Sequence, residues 1–165
     1  MTALSCALFR SDDADAQAKR TQCLNRPRIS VRFNATTRSG DNATMSVETI
    51  EGAWPVVKAA GEIDLSNIEE LRSALDAAIA RSPDAVTVDF AEISYIDSAG
   101  VAVVISAYRK LRRADGALGI VRPTSPAARR VLELVGLQSL PGVVIADDLT
   151  TVQQGLAERQ VKPAL

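Results

Sequence analysis

Ser98 is the side chain whose type and position most favour chemistry in this chain. It lies in the segment 95–100, of sequence YIDSAG. An apolar strand pattern at 86–90 precedes this segment, and a helical pattern at 101–113 follows it. We therefore predict Ser98 at the start of a helix, where unpaired backbone N–H groups favour an anion. A serine placed there can accept a phosphate that the local structure tolerates, which is the chemistry of a reversible switch.

The sequence lacks the partner residues that a catalytic Ser98 would need. A serine nucleophile needs a general base and a group that orients the base, and the chain contains no histidine. Neither Ser-x-x-Lys nor Gly-x-Ser-x-Gly surrounds this serine. Phosphate-binding loops of the Gly-x-Gly-x-x-Gly or Gly-Lys-Ser/Thr type are also missing from the sequence. We expect a protein that is not an enzyme and uses no cofactor, while weak nucleotide binding near Ser98 stays open.

The structural alternative for the same residues is a helix cap. Asp97 or Ser98 can cap the helix, and Gly100 can allow close packing. Two features favour a further role: the Asp97 carboxylate already supplies a capping acceptor, and the small residues Ala99 and Gly100 leave the hydroxyl uncrowded. A phosphate adds about −1.5 to −2 charges. Beside Asp97 it would alter binding to a partner without unfolding the domain.

The composition is that of an ordinary globular protein, but residues 1–44, which we call the leader, differ from the rest of the chain in charge. Of 165 residues, 47% are hydrophobic, and the formal net charge of −1 provides no global field for nucleic acid. Residues 1–44 carry seven Lys/Arg and four Asp/Glu, whereas residues 45–165 carry twelve and sixteen. Both cysteines, Cys6 and Cys23, lie in the leader, and without histidine they do not suggest a zinc site. No run approaches the ~20 apolar residues of a membrane span. We predict no metal, no membrane span and a cytoplasmic location.

Periodicity divides the chain at Met45. Residues 1–44 show no sustained pattern and are predicted to be mostly disordered; the alternative is that translation starts at Met45. Residues 45–160 are predicted to form one domain, with a tail at 161–165. The predicted elements are strands 46–51 and 56–60, a turn at 61–64, helix 67–81 capped by Ser66 and Glu69, strand 85–90, a loop at 91–97, helix 101–113, strand 117–121, a helix from Pro126 capped by Ser125, strand 143–145, and a helix to about Glu158. A hairpin followed by βα repeats predicts an α/β fold with a small, mixed, largely parallel sheet of about five strands.

Two motifs at this separation resemble the STAS-domain anti-sigma factor antagonists. They are residues 61–66, of sequence GEIDLS, and residues 95–100. The resemblance runs from about Met45 to Leu156 and includes the helix that starts at 125–126 and ends at 134–137. It implies four helices chiefly on one face of the sheet and makes Ser98 the phosphoacceptor. The implied partner-binding residues are Asp64, Leu65, Ser66, Asp97, Ala99 and Gly100.

The resemblance also implies the partners. The unphosphorylated antagonist would bind an anti-sigma factor serine kinase and free sigma factor; the kinase would phosphorylate it with ATP, and a cognate phosphatase would reverse this. The alternative is a STAS subunit of another assembly, such as a lipid-trafficking complex or a stressosome-like scaffold. We expect no direct contact with nucleic acid. The basic residues of 109–113 are interpreted as a solvated helix end and Trp54 as a packing residue of the hairpin.

Overall fold

The computed structural model describes residues 45–52 and 54–161, and its elements follow the predicted order. They are β1 (Ser46–Ile50), β2 (Val56–Ile63), α1 (Ile68–Arg81), β3 (Ala85–Ile96), α2 (Ser98–Arg113), β4 (Ala117–Val121), α3 (Pro126–Val135), a 3₁₀ turn (Leu137–Ser139), β5 (Val143–Ala146) and α4 (Leu149–Val161). The predicted leader lies outside the described residues. Of the predicted tail, Val161 ends α4, and residues 162–165 lie outside the described residues.

The five strands form one sheet in the order β1-β2-β3-β4-β5. β1 is antiparallel to β2, and the other three pairs are parallel. Because successive parallel strands step in one direction through right-handed connections, α1, α2 and α3 fall on the same face. This confirms the predicted fold class. We call the edge where β2 to β5 end the carboxyl edge; β1, running the other way, begins there.

Alternation along the strands divides the core between the two faces. Val86, Val88 and Phe90 of β3 are buried in a large cluster with α1, α2 and α3. The other face of β3 is represented by Ala85, which belongs to a smaller cluster with Val152 and Leu156 of α4. Period-2 alternation explains the division, since successive side chains point to opposite faces. Three helices therefore cover one face, and α4 covers part of the other.

β2 and β3 are longer than predicted. The predicted turn at 61–64 and loop at 91–97 are mostly strand, because residues 60–63 pair with residues 92–96. Irregularities in the pairing, including one between Gly61 and Glu62, interrupt the alternation. Ile93 and Ile96 are both buried although they lie three residues apart, a spacing that a regular strand does not give. This extension brings the ends of β2 and β3 to the segment around Ser98.

The helix ends partly follow the expected chemistry. Ser125 precedes α3, Pro126 is its first residue, and Gly136 ends it with φ 71°, as predicted. The Ser125 hydroxyl does not cap the helix but donates to the Ser94 carbonyl at 2.8 Å. At the start of α4, Asp148 Oδ1 accepts from the Thr151 N–H at 2.8 Å. The Ser125 bond fastens the start of α3 to the extension of β3.

Two of the four basic residues at the end of α2 are engaged within the fold. Lys110 Nζ lies 2.7 Å from the Asp76 carboxylate of α1, and Arg112 donates to Asp115 at 3.3 Å. Trp54 packs against the smaller core cluster, as predicted. Within residues 45–52 and 54–161, no helix is long and apolar enough to cross a bilayer, and no group of three His, Cys, Asp or Glu residues could hold a metal ion.

Thr87 gives a stability prediction. Its side chain is fully buried under α4, and within the described part of the chain its Oγ1 has no hydrogen-bond partner. Thr87→Val keeps the shape and removes the unpaired hydroxyl, so we expect the free energy of unfolding to rise by about 1 kcal/mol, a gain of about 4 °C in the melting temperature. Thr124→Val is the control, because the Thr124 hydroxyl donates to the Ala91 carbonyl at 2.8 Å. Calorimetry that finds equal losses in both variants would contradict the prediction.

Candidate functional site

Ser98 is the first residue of α2 and is exposed. Asp97 is the N-cap: its backbone is extended, and its Oδ1 accepts from the Gly100 N–H at 2.9 Å. Ser98 makes no hydrogen bond through its hydroxyl to any described residue. The capping acceptor is thus supplied by Asp97 alone, which leaves the neighbouring hydroxyl open to a reagent or partner.

The ends of β2 and β3 bring the two sequence motifs together. Ile63 pairs with Ile96, and Glu62 pairs with Tyr95. The Asp97 N–H then donates to the Ile63 carbonyl at 3.1 Å. The loop after β2 and the start of α2 are therefore fixed side by side at the carboxyl edge.

The loop between β2 and α1 is held by its own polar side chains. Asp64 Oδ1 accepts from the Ser66 N–H at 2.8 Å and from its hydroxyl at 2.5 Å. Asn67 Oδ1 accepts from the Asp64 N–H at 3.0 Å, and its amide donates to the Glu62 carbonyl at 2.9 Å. The prediction that Ser66 caps the helix with Glu69 is wrong: Asn67 occupies the N-cap position, without a side-chain cap bond, and the Ser66 hydroxyl is bonded to Asp64.

Gly100 lets α2 approach the ends of the two strands. It is buried, and a Cβ atom on it would lie 2.6 Å from Ile96 Cγ1 and 2.9 Å from Ile63 Cγ2. Such distances are shorter than van der Waals contact. A glycine is therefore required here by the close approach of the helix, and Ser98, two residues earlier, is positioned by that contact.

Two large apolar side chains are exposed beside these residues. Leu65 is 76% exposed and Tyr95 is 47% exposed. Leu65 was a predicted site residue; Tyr95 was not, although it pairs with Glu62 in the strand register. The sequence shows only an aromatic residue directly before the Ile-Asp-Ser run, which does not by itself indicate exposure. Ala99 packs against the large core cluster, so its contribution to an exposed surface is limited.

The Asp64 carboxylate has a perturbed pKa. Hydrogen bonds from the Ser66 hydroxyl and then from the Ser66 N–H hold its pKa below the usual value. A lowered folded-state pKa means that the group adds stability at pH values above its unfolded pKa of about 3.9. That stability is lost as the pH falls through the folded-state pKa. Because the pKa lies below its ordinary acidic value, Asp64 is ionised at neutral pH.

Removing the Ser66 hydroxyl should therefore raise the pKa of Asp64 toward the ordinary range. We expect Ser66→Ala to shift the carboxyl titration of Asp64, followed by carbon-13 NMR, to higher pH. Thr151→Ala is a matched control, because the Thr151 hydroxyl and N–H lower the pKa of Asp148 in the same way. An Asp64 titration that moves with Thr151→Ala but not with Ser66→Ala would refute the assignment.

A separate cleft of about 370 Å³ lies between α3 and β5. Its lining includes Ile120, Arg122, Arg129 and Ile145, and no predicted site residue. Arg122 and Arg129 both donate to the Asp147 carboxylate. The cleft and the surface around Ser98 are thus built from different residues.

Comparison with known proteins identifies the family of this fold. The family described as "Mlab, STAS domain" matches residues 46–145, which is more than half of the chain. The chain belongs to the STAS domain family.

The relatives of this STAS domain include named regulators. It is 30% identical over 81 residues to the anti-sigma-B factor antagonist of Listeria monocytogenes, covering 49% of this chain and 70% of the relative. It is 30% identical over 92 residues to the anti-sigma F factor antagonist of Lysinibacillus sphaericus, covering 55% and 78%. The crystal structure of an anti-sigma factor antagonist from Mycobacterium paratuberculosis superposes with a TM-score of 0.61 at 26% identity, covering 73% of this chain and 99% of that one.

Proposed function

We propose that this STAS domain is a cytoplasmic anti-sigma factor antagonist switched by phosphorylation of Ser98. The unphosphorylated form binds an anti-sigma factor serine kinase and thereby frees sigma factor. Asp64, Leu65, Ser66, Asp97, Ala99 and Gly100 form or position the surface that meets the kinase. A phosphatase restores the binding form.

The observation that carries the proposal is the Ser98 hydroxyl at the start of α2, which is exposed and has no hydrogen-bond partner among the described residues. Its neighbour Asp97 already caps the helix, so a change at Ser98 leaves the cap intact. Phosphate at a helix N-terminus is compatible with the helix dipole. The same phosphate beside Asp97 and Leu65 is unfavourable for a partner surface that closes over them.

The switching step transfers one phosphoryl group. Ser98 Oγ attacks the γ-phosphorus of ATP, and an Oγ–P bond forms as the bond to the bridging oxygen breaks. ADP leaves, and the hydroxyl proton passes to the kinase's base. The antagonist supplies only the acceptor oxygen, in keeping with the absence of histidine from the sequence.

Phosphate incorporation tests the proposal. The chain is incubated in turn with each anti-sigma factor kinase of the same genome and labelled ATP. We expect the cognate kinase to add one phosphate, located at Ser98 by mass spectrometry. Ser98→Ala should abolish incorporation because the acceptor oxygen is gone. Ser94→Ala is the control, since Ser94 is also exposed and lies four residues before Ser98, in β3, where its hydroxyl donates to the Gly61 carbonyl at 3.3 Å.

Two outcomes would count against the proposal. Equal phosphate incorporation by Ser98→Ala and the unmodified chain would show that the acceptor lies elsewhere. Recovery of transporter components and no kinase, from a pull-down with the unmodified chain, would favour the alternative role as a subunit of another assembly.

A further inference from the structure

The carboxyl edge carries a mixed surface of carboxylates and exposed apolar side chains. We call the exposed and half-buried residues at this edge the switch surface: Asp64, Leu65, Asp97 and Ser98 next to the helix starts, and Glu62 and Tyr95 at the strand ends. Within the described residues, the three carboxylates of this surface form no ion pair with Lys or Arg. The switch surface therefore offers negative charge and apolar area that the domain itself does not cover.

The leader contains a segment with the complementary character. Residues 16–40 hold six Lys/Arg and no Asp/Glu. Within them, the segment 26–33 has the sequence RPRISVRF and alternates cations with large apolar side chains: Arg26, Arg28 and Arg32 with Ile29, Val31 and Phe33. Arginine pairs with carboxylates and stacks on aromatic rings, so this segment can contact Asp64, Leu65 and Tyr95 with matching chemistry.

The leader joins the domain at Met45, close to the switch surface. Ser46 of β1 pairs with Ala60 of β2, so Met45 lies level with Gly61, three residues before Asp64. From a strand spacing of about 4.8 Å and a rise of about 3.3 Å per residue, Met45 is about 11 Å from Asp64. The eleven residues 34–44 can span up to about 36 Å. A flexible linker that can span two sites gives effective concentrations in the millimolar range, so a segment joined through these eleven residues is close enough to reach the surface.

We propose that residues 26–33 bind in cis to the switch surface and cover Ser98. On the proposed function, from which this consequence follows, the leader competes with the kinase for the unphosphorylated antagonist. The occupant is a segment of the same chain, and the interaction combines Arg–carboxylate pairs with burial of Leu65 and Tyr95. It should weaken as salt is added, because exposed charge pairs are screened.

The cysteines permit a direct test on the full chain. Cys6 and Cys23 are its only thiols, so Cys6→Ser leaves Cys23, three residues before Arg26, for a nitroxide label. We expect the label to broaden the amide NMR signals of Leu65, Tyr95 and Ser98 selectively. The effect should disappear in the triple variant R26Q/R28Q/R32Q and persist in K19Q/R20Q/R38Q, which removes the same charge outside the segment.

Each other result overturns the docking. Absent or uniform broadening means that the segment does not bind, and an equal reduction of the broadening in both triple variants means that net charge alone attracts the leader. Undiminished broadening in both variants means that the arginines of the segment do not hold it. Broadening of labelled-nitrogen chains by a nitroxide on separate, unenriched chains would indicate docking between copies rather than in cis.

Phosphorylation separates this inference from the proposed function. If nine in ten chains are docked, the competent fraction rises about tenfold on release, so R26Q/R28Q/R32Q should be phosphorylated about tenfold faster than the K19Q/R20Q/R38Q control. Selective broadening with no phosphate on either protein would refute the proposed function and leave the docking in place. Selective broadening with equal phosphorylation rates would refute the competition.

Discussion

Ser98→Glu is expected to weaken binding of the anti-sigma factor kinase by about 10- to 100-fold, or about 1.4–2.8 kcal/mol, and to leave the melting temperature almost unchanged. The binding loss follows because a second carboxylate beside Asp97 must be desolvated against the partner. The fold tolerates the charge because a carboxylate in the first turn of a helix is stabilising by about 0.3–1 kcal/mol. Repulsion from Asp97 offsets part of that gain.

Isothermal calorimetry with the kinase, and thermal unfolding of each variant alone, measure the two effects. Ser98→Ala should bind about as well as the unmodified chain because it adds no charge. Ser139→Glu adds the same charge at an exposed position near the opposite edge of the sheet and should also bind normally. Unchanged kinase affinity of the Ser98→Glu variant would contradict the proposed switch, and a large loss of its thermal stability would identify Ser98 as a structural cap.

Gly100→Ala is expected to lower the free energy of unfolding by about 1–3 kcal/mol, which is the usual cost of overpacking a core. The added methyl group would meet Ile96 at 2.6 Å and Ile63 at 2.9 Å, so the start of α2 must move away from the strands. The better helix propensity of alanine, about 1 kcal/mol, offsets only part of this cost. We expect phosphorylation at Ser98 to slow as well, since the same shift displaces the hydroxyl.

Gly136→Ala separates steric overlap from backbone strain. Gly136 has φ 71°, and no atom of the described residues lies within 4 Å of a Cβ placed on it, so alanine there costs about 1 kcal/mol through its left-handed backbone alone. That variant should keep the phosphorylation rate of the unmodified chain. Urea unfolding gives the stabilities, and a Gly100→Ala protein as stable as the unmodified chain would show that the contact with β2 and β3 does not position α2.

The order of elements could be predicted because helical and strand periodicities alternate clearly from Met45 onward. The position of Ser98 at a helix start could be predicted for the same reason: an apolar strand pattern and an amphipathic helix flank one short polar segment. The lengths of β2 and β3 could not, because pairing irregularities near Gly61 disturb the alternation on which strand prediction depends.

The site residues show a similar division. Asp97 could be identified as a capping acceptor from local chemistry, since the bond to Gly100 spans only three residues. The role of Asn67 depends on which of two neighbouring polar residues begins the helix, and propensity does not separate Ser66 from Asn67 at that position. Tyr95 requires knowledge of the tertiary structure, because its exposure depends on how far β3 extends beyond the neighbouring strands.

The direction of β1 has a practical consequence for experiments on this protein. Because β1 starts at the carboxyl edge, anything fused ahead of residue 45 is tethered within a few nanometres of Ser98. α4 starts at that edge after β5 and runs back across the sheet, so its far end lies away from the serine. Affinity handles and fluorescent reporters intended for partner capture should therefore follow α4, where they leave the approach of an enzyme unobstructed.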